Sequence, residues 1–182
     1  MKDLSLNLLD IAENSVKAGA TLTQLLLTQE AGILTFQVVD DGCGMTEEVL
    51  RGVVDPFYTT RTTRKVGMGL PLLRMAAEQT GGRMTGESRH KDAYPDNPGT
   101  VVTAVFHTDH IDCPPIGDMT ATVTTLIQGH PDTDFYFRHV CDGTKVELDT
   151  RALREILGEV SLAEFEVLQW ITGYLTDQYN GQ

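Results

Sequence analysis

This chain is short of the features that mark secreted, membrane-crossing and nucleic-acid-binding proteins. Its three cysteines, Cys43, Cys113 and Cys141, are odd in number and far apart, which argues against a disulfide framework and a paired C-x-x-C metal knuckle. No apolar run approaches the roughly 18–20 residues needed to cross a bilayer, and Asp3 and Asp10 stand where a secretory leader would be apolar. These absences predict a soluble, cytoplasmic protein with reduced thiols. Basic residues are also scarce, 14 Lys and Arg against 26 Asp and Glu, for a net charge of −12. Nucleic acid and anionic membranes are therefore unfavourable partners, since either would be approached against the protein's own field. Internal repeats and low-complexity tracts are missing too. So are Gly-x-x-x-x-Gly-Lys-Ser/Thr and Gly-x-Gly-x-x-Gly, which leaves P-loop and dinucleotide folds without support.

What is present suits one domain of ordinary size with an appendage, or two small ones: 182 residues, 41% hydrophobic. Leu4, Leu8, Ile11, Ala12 and Ser15 recur at helical spacing and predict a first amphipathic helix that ends at Ala18-Gly19-Ala20. Residues 21–28 and 33–39 are β-rich and joined by Gln29-Glu30-Ala31-Gly32, a hairpin that delivers Asp40 at a strand end. Thr46-Glu47-Glu48 opens a short helix. Another helix runs from near Pro71 to Gly81-Gly82, and a second hairpin pairs 83–88 with 100–108. Helices on one face of a mixed or antiparallel sheet make an α+β, two-layer sandwich. Beyond Cys113-Pro114-Pro115 the composition changes to twelve acidic and four basic residues over 110–182. That change divides the chain at 109–116 into residues 1–109 and an acidic α+β module, 110–182. The module carries a helix capped by Asp118 and ending at Gly129, an Asp142-Gly143 hairpin, and a Ser161-to-Glu164 capping box before a last helix.

The chemistry lies in four motifs in fixed order. On the first helix Asp10 and Asn14 share a face, with Lys17 one turn further. A magnesium ion on a triphosphate asks the protein for one or two hard oxygen ligands, and Asn14 can supply one while Asp10 orients or deprotonates an attacking hydroxyl or water, or simply holds the metal's water shell in place. Asp40 follows a β-run and precedes Gly42, Gly44 and Met45; the glycines let backbone approach a ligand closely. A carboxylate accepts from the exocyclic amine of adenine but would oppose the carbonyl of guanine, which predicts ATP over GTP. Asp55-Pro56-Phe57 then leads into a polar, basic stretch through Thr60, Arg61 and Lys65 to Gly67-Met68-Gly69-Leu70. This stretch reads as a phosphate-covering lid, and the helix after it aims free N–H groups at the anion. Eight of the fourteen basic residues fall in 51–91, as a polyanionic ligand would favour.

Taken in order, these motifs resemble the ATP-binding domain of the GHKL superfamily, named for gyrase, a heat-shock chaperone, histidine kinases and MutL. The likeness covers residues 4 to about 108. Residues 9–15 with Ala18-Gly19-Ala20-Thr21 are closest to the MutL asparagine box, whereas 55–60, 67–70, Gly81-Gly82-Arg83 and Gly99-Thr100 are more like histidine kinases. The resemblance implies the Bergerat sandwich, with Asn14 as magnesium ligand, Asp40 and Thr100 at adenine, and Lys65, Gly67, Gly69 and Leu70 at the phosphates or lid. Met45, Phe57, Thr60, Arg61 and Met68 belong to the same boxes. Two departures stand out: Asp10 is one methylene shorter than the usual glutamate, and Pro71 replaces the pattern that supplies a third glycine. Only three residues precede the first helix, which leaves no room for a dimerisation hairpin. No histidine is followed directly by an acid, as a phosphoacceptor histidine typically is. The resulting expectation is a stand-alone protein that binds Mg-ATP and passes the γ-phosphoryl group to a separate protein, with a homodimer possible. An ATPase switch of the MutL or gyrase type, or a nucleotide sensor without turnover, are the alternatives.

Overall fold

The computed structural model describes residues 3–55 and 69–181. Helix α1 (Leu4–Lys17) starts where Asp3 accepts hydrogen bonds from the Leu6 N–H at 3.0 Å and the Ser5 hydroxyl at 2.6 Å. Its periodic residues Leu4, Leu8, Ile11, Ala12 and Ser15 are all buried. Two backbone N–H groups of its first turn, Leu4 and Ser5, find acceptors in the carbonyls of Pro115 and Ile116, both at 2.9 Å. Strands β1 (Leu22–Glu30) and β2 (Ile33–Asp40) form the expected hairpin around the two-residue turn Ala31-Gly32. Both turn residues have positive φ, the geometry a tight hairpin demands. Helix α2 (Glu47–Val54) is capped by Thr46, and α3 (Gly69–Gln79) begins two residues before Pro71. Strands β3 (Arg83–Arg89) and β4 (Gly99–His107) complete the second hairpin.

The remaining elements are α4 (Met119–Gly129), β5 (Asp134–Cys141), β6 (Thr144–Asp149), α5 (Thr150–Leu157) and α6 (Phe165–Asn180). All strands join one sheet in the order β3-β4-β2-β1-β5-β6. Every neighbouring pair is antiparallel except β1 with β5. Because β4 already runs parallel to β1, a crossover through α4 sets β5 beside β1 in the same direction. The composition break near 109–116 thus falls on the link between two parts of a single sheet. Phe36 and Phe106 from the first part and Phe135 and Phe137 from the second lie fully buried in one core. Helices α3, α1, α4 and α6 sit side by side on the face where strand residues alternate into the interior, a mixed-sheet α+β sandwich.

Two local expectations are revised. The capping box does not form: Ser161 Oγ accepts from the Ala163 N–H at 3.1 Å, and α6 starts after Glu164, which makes no side-chain cap bond. Helix α5 is an addition that the apolar pattern did not signal. It is fixed by polar contacts instead: Asp149 caps it, and Arg154 reaches Asp134 at 2.7 Å and the carbonyls of Pro131 and Thr133.

The sheet's outer edge, β6, is closed by a side chain. Gln178 on α6 accepts from the Glu147 N–H at 2.9 Å and donates to the Glu147 carbonyl at 3.0 Å, satisfying groups an edge strand otherwise leaves unpaired. At the next residue of α6, the Tyr179 hydroxyl and His139 Nδ1 are 2.9 Å apart, while His139 Nε2 is buried without a partner among the described residues. Burial pushes the His139 pKa down and, with a smaller contribution from Asp118, pushes the Tyr179 phenol up. The neutral forms belong to the fold. For His139 the stabilisation is complete above the unfolded value of about 6.5 and lost as pH falls, because the unfolded chain then takes up a proton the native state resists. Thermal unfolding between pH 7.5 and 5 should show a falling midpoint, and a shallower fall in His139→Phe; equal slopes would contradict this account.

Candidate functional site

Asp40 closes β2 at the point where the chain turns into Asp41-Gly42-Cys43-Gly44. Its Oδ2 accepts from Ser15 Oγ at 2.6 Å and its Oδ1 from the Gly42 N–H at 2.9 Å, so α1 and the turn together orient the carboxylate. Gly42 must be small: a Cβ would lie 2.9 Å from the Ala18 Cβ. Asp41 points elsewhere, accepting from the N–H groups of Thr21 and Leu22 and from the Thr21 hydroxyl. Burial works to raise its pKa, but the bonds from Leu22 and Thr21 outweigh that and hold the carboxyl below its ordinary range. Asp41 is thus a structural clamp between β2 and the start of β1.

Around Asp40 the sheet register sets a polar row. Asp40 lies opposite Thr100 on β4, which lies opposite Ser88 on β3. The hydroxyls of Ser88 and Thr100 are 2.8 Å apart, and Ser88 Oγ accepts from the Met45 N–H at 2.7 Å. The turn is stitched on both sides, with the Cys43 N–H donating to the Ala18 carbonyl at 2.9 Å and the Lys91 N–H to the Cys43 carbonyl at 2.8 Å.

Nearer the N-terminal half of α1, α3 begins against it. Asn7 Nδ2 donates to the Gly69 carbonyl at 2.9 Å, and a Cβ on Gly69 would meet the Asp10 Cβ at 3.2 Å. The first turn of α3 therefore faces the Asp10 stretch of α1. Asp10 is exposed, Asn14 half-buried and Lys17 exposed, and no hydrogen bond or ion pair engages their side chains among the described residues. Their oxygen and nitrogen atoms are available to a ligand. Asp10 and Ser15 are five residues apart, about 7.5 Å along the helix axis, so a ligand touching both ends is elongated.

The structure thus brings together Asp10, Asn14, Asp40, Gly42, Gly44, Met45, Gly69 and Thr100 of the expected set. Leu70 is buried in the core, which leaves only its backbone for a ligand. Phe57, Thr60, Arg61, Lys65, Gly67 and Met68 lie outside the described residues. Of the basic residues in 51–91, Arg51 and Arg74 are paired within their helices to Glu47 and Glu78.

Three contributors escaped the sequence reading. Ser15 and Asn7 are buried polar residues on the apolar stripe of α1, a visible signal that the helical periodicity absorbed. Glu13 pairs with His130 at 2.8 Å, tying the asparagine-box helix to the loop after α4; no local pattern links residues so far apart. A cleft of about 670 Å³ lies elsewhere, between the start of α4 and α6, lined by Thr120, Thr124, Thr172, Thr176 and Tyr179, and it holds none of the motif residues. Thiol chemistry finds no support at Cys113 or Cys141, whose pKa values are pushed up by burial and, at Cys141, also by Asp142.

Residues 2–110 match the family described as histidine kinase-, DNA gyrase B-, and HSP90-like ATPase, and the chain belongs to that family. Among curated proteins it is 27% identical over 89 residues to the sensor protein KdpD of Clostridium acetobutylicum, covering 46% of this chain and 10% of that one. It is 39% identical over 54 residues to the sensor kinase CckA of Brucella abortus, 29% of this chain and 6% of that one. The chain thus spans a tenth or less of the length of these relatives. Its fold resembles the Aquifex aeolicus MutL ATPase domain complexed with ADP, with a TM-score of 0.57 at 13% identity, covering 86% of this chain and 69% of that one. Among the described residues no helix is long and apolar enough to cross a membrane.

Proposed function

We propose that the chain binds Mg-ATP between α1 and the Asp40 turn and passes the γ-phosphoryl group to a separate protein. The observation that carries the reading is the fixed carboxylate of Asp40. Ser15 and the Gly42 N–H hold it at the end of β2 as an acceptor for the amine of adenine, with Thr100 and Ser88 beside it. The triphosphate then extends along α1 towards Asp10 and the first turn of α3.

The Asn14 carboxamide oxygen suits magnesium, being a hard, neutral ligand uncommitted among the described residues. Bound there, the ion would offset phosphate charge. Asp10 sits one turn away, placed to accept the proton of an attacking nucleophile from the partner as its bond to the γ-phosphorus forms, the bond to the bridging oxygen breaks and ADP leaves. The partner is a protein, with neither nucleic acid nor membrane favoured by the net charge of −12. A cytoplasmic setting agrees with the three free thiols.

An ATPase switch is the second reading, favoured by the MutL-like residues 9–21. Incubation with γ-labelled ATP and a cell extract separates the two. Label on a second protein is the expected result, released phosphate alone would favour the switch, and ATP bound but unconsumed would leave a sensor. Asp10→Ala should abolish turnover, by at least about a hundredfold for a proton acceptor, while changing ATP affinity little.

A further inference from the structure

Helix α6 carries a surface that the nucleotide site does not use. Its inner side buries Val167, Ile171 and Leu175, and Gln178 bonds it to β6, so its orientation is set. On a different side, Trp170 and Tyr174 lie one turn apart with their rings stacked, centroids 4.9 Å apart and planes inclined by 11°. They remain 51% and 40% exposed. Glu166 precedes Trp170 by one turn, and Asp177 follows Tyr174 by three residues, so both carboxylates share the stripe. Gly173 lies beside the rings with open space where a side chain would be. No Lys, Arg or His occurs on α6.

We propose that this stripe docks a cationic, arginine-bearing segment of a protein partner. A guanidinium group fits over an exposed aromatic face, and Glu166 and Asp177 supply opposite charge at either end. The bare backbone at Gly173 leaves room for the segment to approach. A second copy of this chain is disfavoured as occupant, because each copy would bring the same carboxylates and a net charge of −12. An anionic membrane is disfavoured for the same reason. The proposal stands independently of the nucleotide reading.

Trp170 is the only tryptophan in the chain, so its emission reports this stripe alone. The full chain should be titrated with an eight-residue peptide alternating arginine and alanine, and with the same peptide carrying glutamate for arginine. The expected result is a saturable change with the arginine peptide only, weakened about tenfold in the Glu166→Gln/Asp177→Asn variant. A Glu47→Gln/Glu48→Gln variant removes equal charge from α2 and should bind as the wild type does. Calorimetry with Trp170→Leu/Tyr174→Ala should show the same peptide losing most of its affinity, with circular dichroism confirming that the variant is folded. No saturable response, an equal response to the glutamate peptide, or an equal loss in the α2 variant would overturn the proposal. So would a concentration-dependent dimer, seen by sedimentation, that the Trp170→Leu/Tyr174→Ala variant abolishes.

Discussion

Asp40→Asn is expected to lower ATP affinity by about a hundredfold without unfolding the protein. The carboxylate already accepts from Ser15 and from the Gly42 N–H, and its remaining lone pairs are what an exocyclic amine would meet. Asparagine can keep its oxygen on the Gly42 N–H and turn its amide nitrogen to Ser15, whose hydroxyl also accepts. The fold therefore retains both contacts. What changes is the face offered to the base: an acceptor has become a donor, and two N–H groups oppose each other. Losing a hydrogen bond to a charged acceptor costs up to about 3 kcal/mol, which corresponds to roughly a hundredfold in affinity. Asp40→Ala should bind no better and would also leave the buried Ser15 hydroxyl without its acceptor, adding a stability cost of about 1–3 kcal/mol. Calorimetric titration with Mg-ATP, paired with thermal unfolding, distinguishes the two effects. An Asp40→Asn affinity within threefold of wild type would remove Asp40 from the role of base reader.

Gly44→Ala should be among the most damaging single substitutions in the chain. Gly44 has φ +71°, where a side chain is strained, and an added Cβ would lie 1.9 Å from the Arg89 carbonyl oxygen and 2.5 Å from its carbon. Those are backbone atoms at the end of β3, held by the ladder to β4, and they have no rotamer by which to retreat. Relief requires the glycine turn to move away from β3, which breaks the Met45 N–H bond to Ser88 and the Lys91 N–H bond to Cys43. Strain plus lost hydrogen bonds should cost about 4 kcal/mol, a large part of the roughly 5–15 kcal/mol available to a domain. A fall of about 10 °C in the unfolding midpoint follows. Gly173→Ala is the control: it lies in a helix with free space around it, and should gain up to about 1 kcal/mol from helix propensity. Similar midpoints for the two variants would show that the close approach at Gly44 is not tight. The same substitution should weaken nucleotide binding, because Ser88 and Thr100 flank Asp40 through the contacts that Gly44 permits.

Features legible without coordinates are those whose cause is local. The stripe of Leu4, Leu8, Ile11 and Ala12 makes α1 amphipathic in any context, and Asp142-Gly143 forms its hairpin because both residues take positive φ readily. The order of the four motifs pointed to the family, and residues 2–110 match it. Where the local signal was misleading, another local contact had won. Ser161 spends its hydroxyl on Ala163 and leaves α6 to start after Glu164. Helix α5 exposes Ile156 and buries little beyond Leu153, so hydrophobic periodicity is weak there and polar anchors do the positioning.

By itself, then, the amino-acid order determined the three hairpins and the layered fold class, because propensity, turn chemistry and binary pattern act over a few residues. Tertiary structure alone decided that β5 lies beside β1, that the acidic segment shares the core of the first hundred residues, that Ser15 braces Asp40 and that Glu13 meets His130. Each of these joins groups at least 25 positions apart along the chain. Which partner a strand or a carboxylate meets across such a distance depends on how every intervening element packs, and no short window of sequence encodes that.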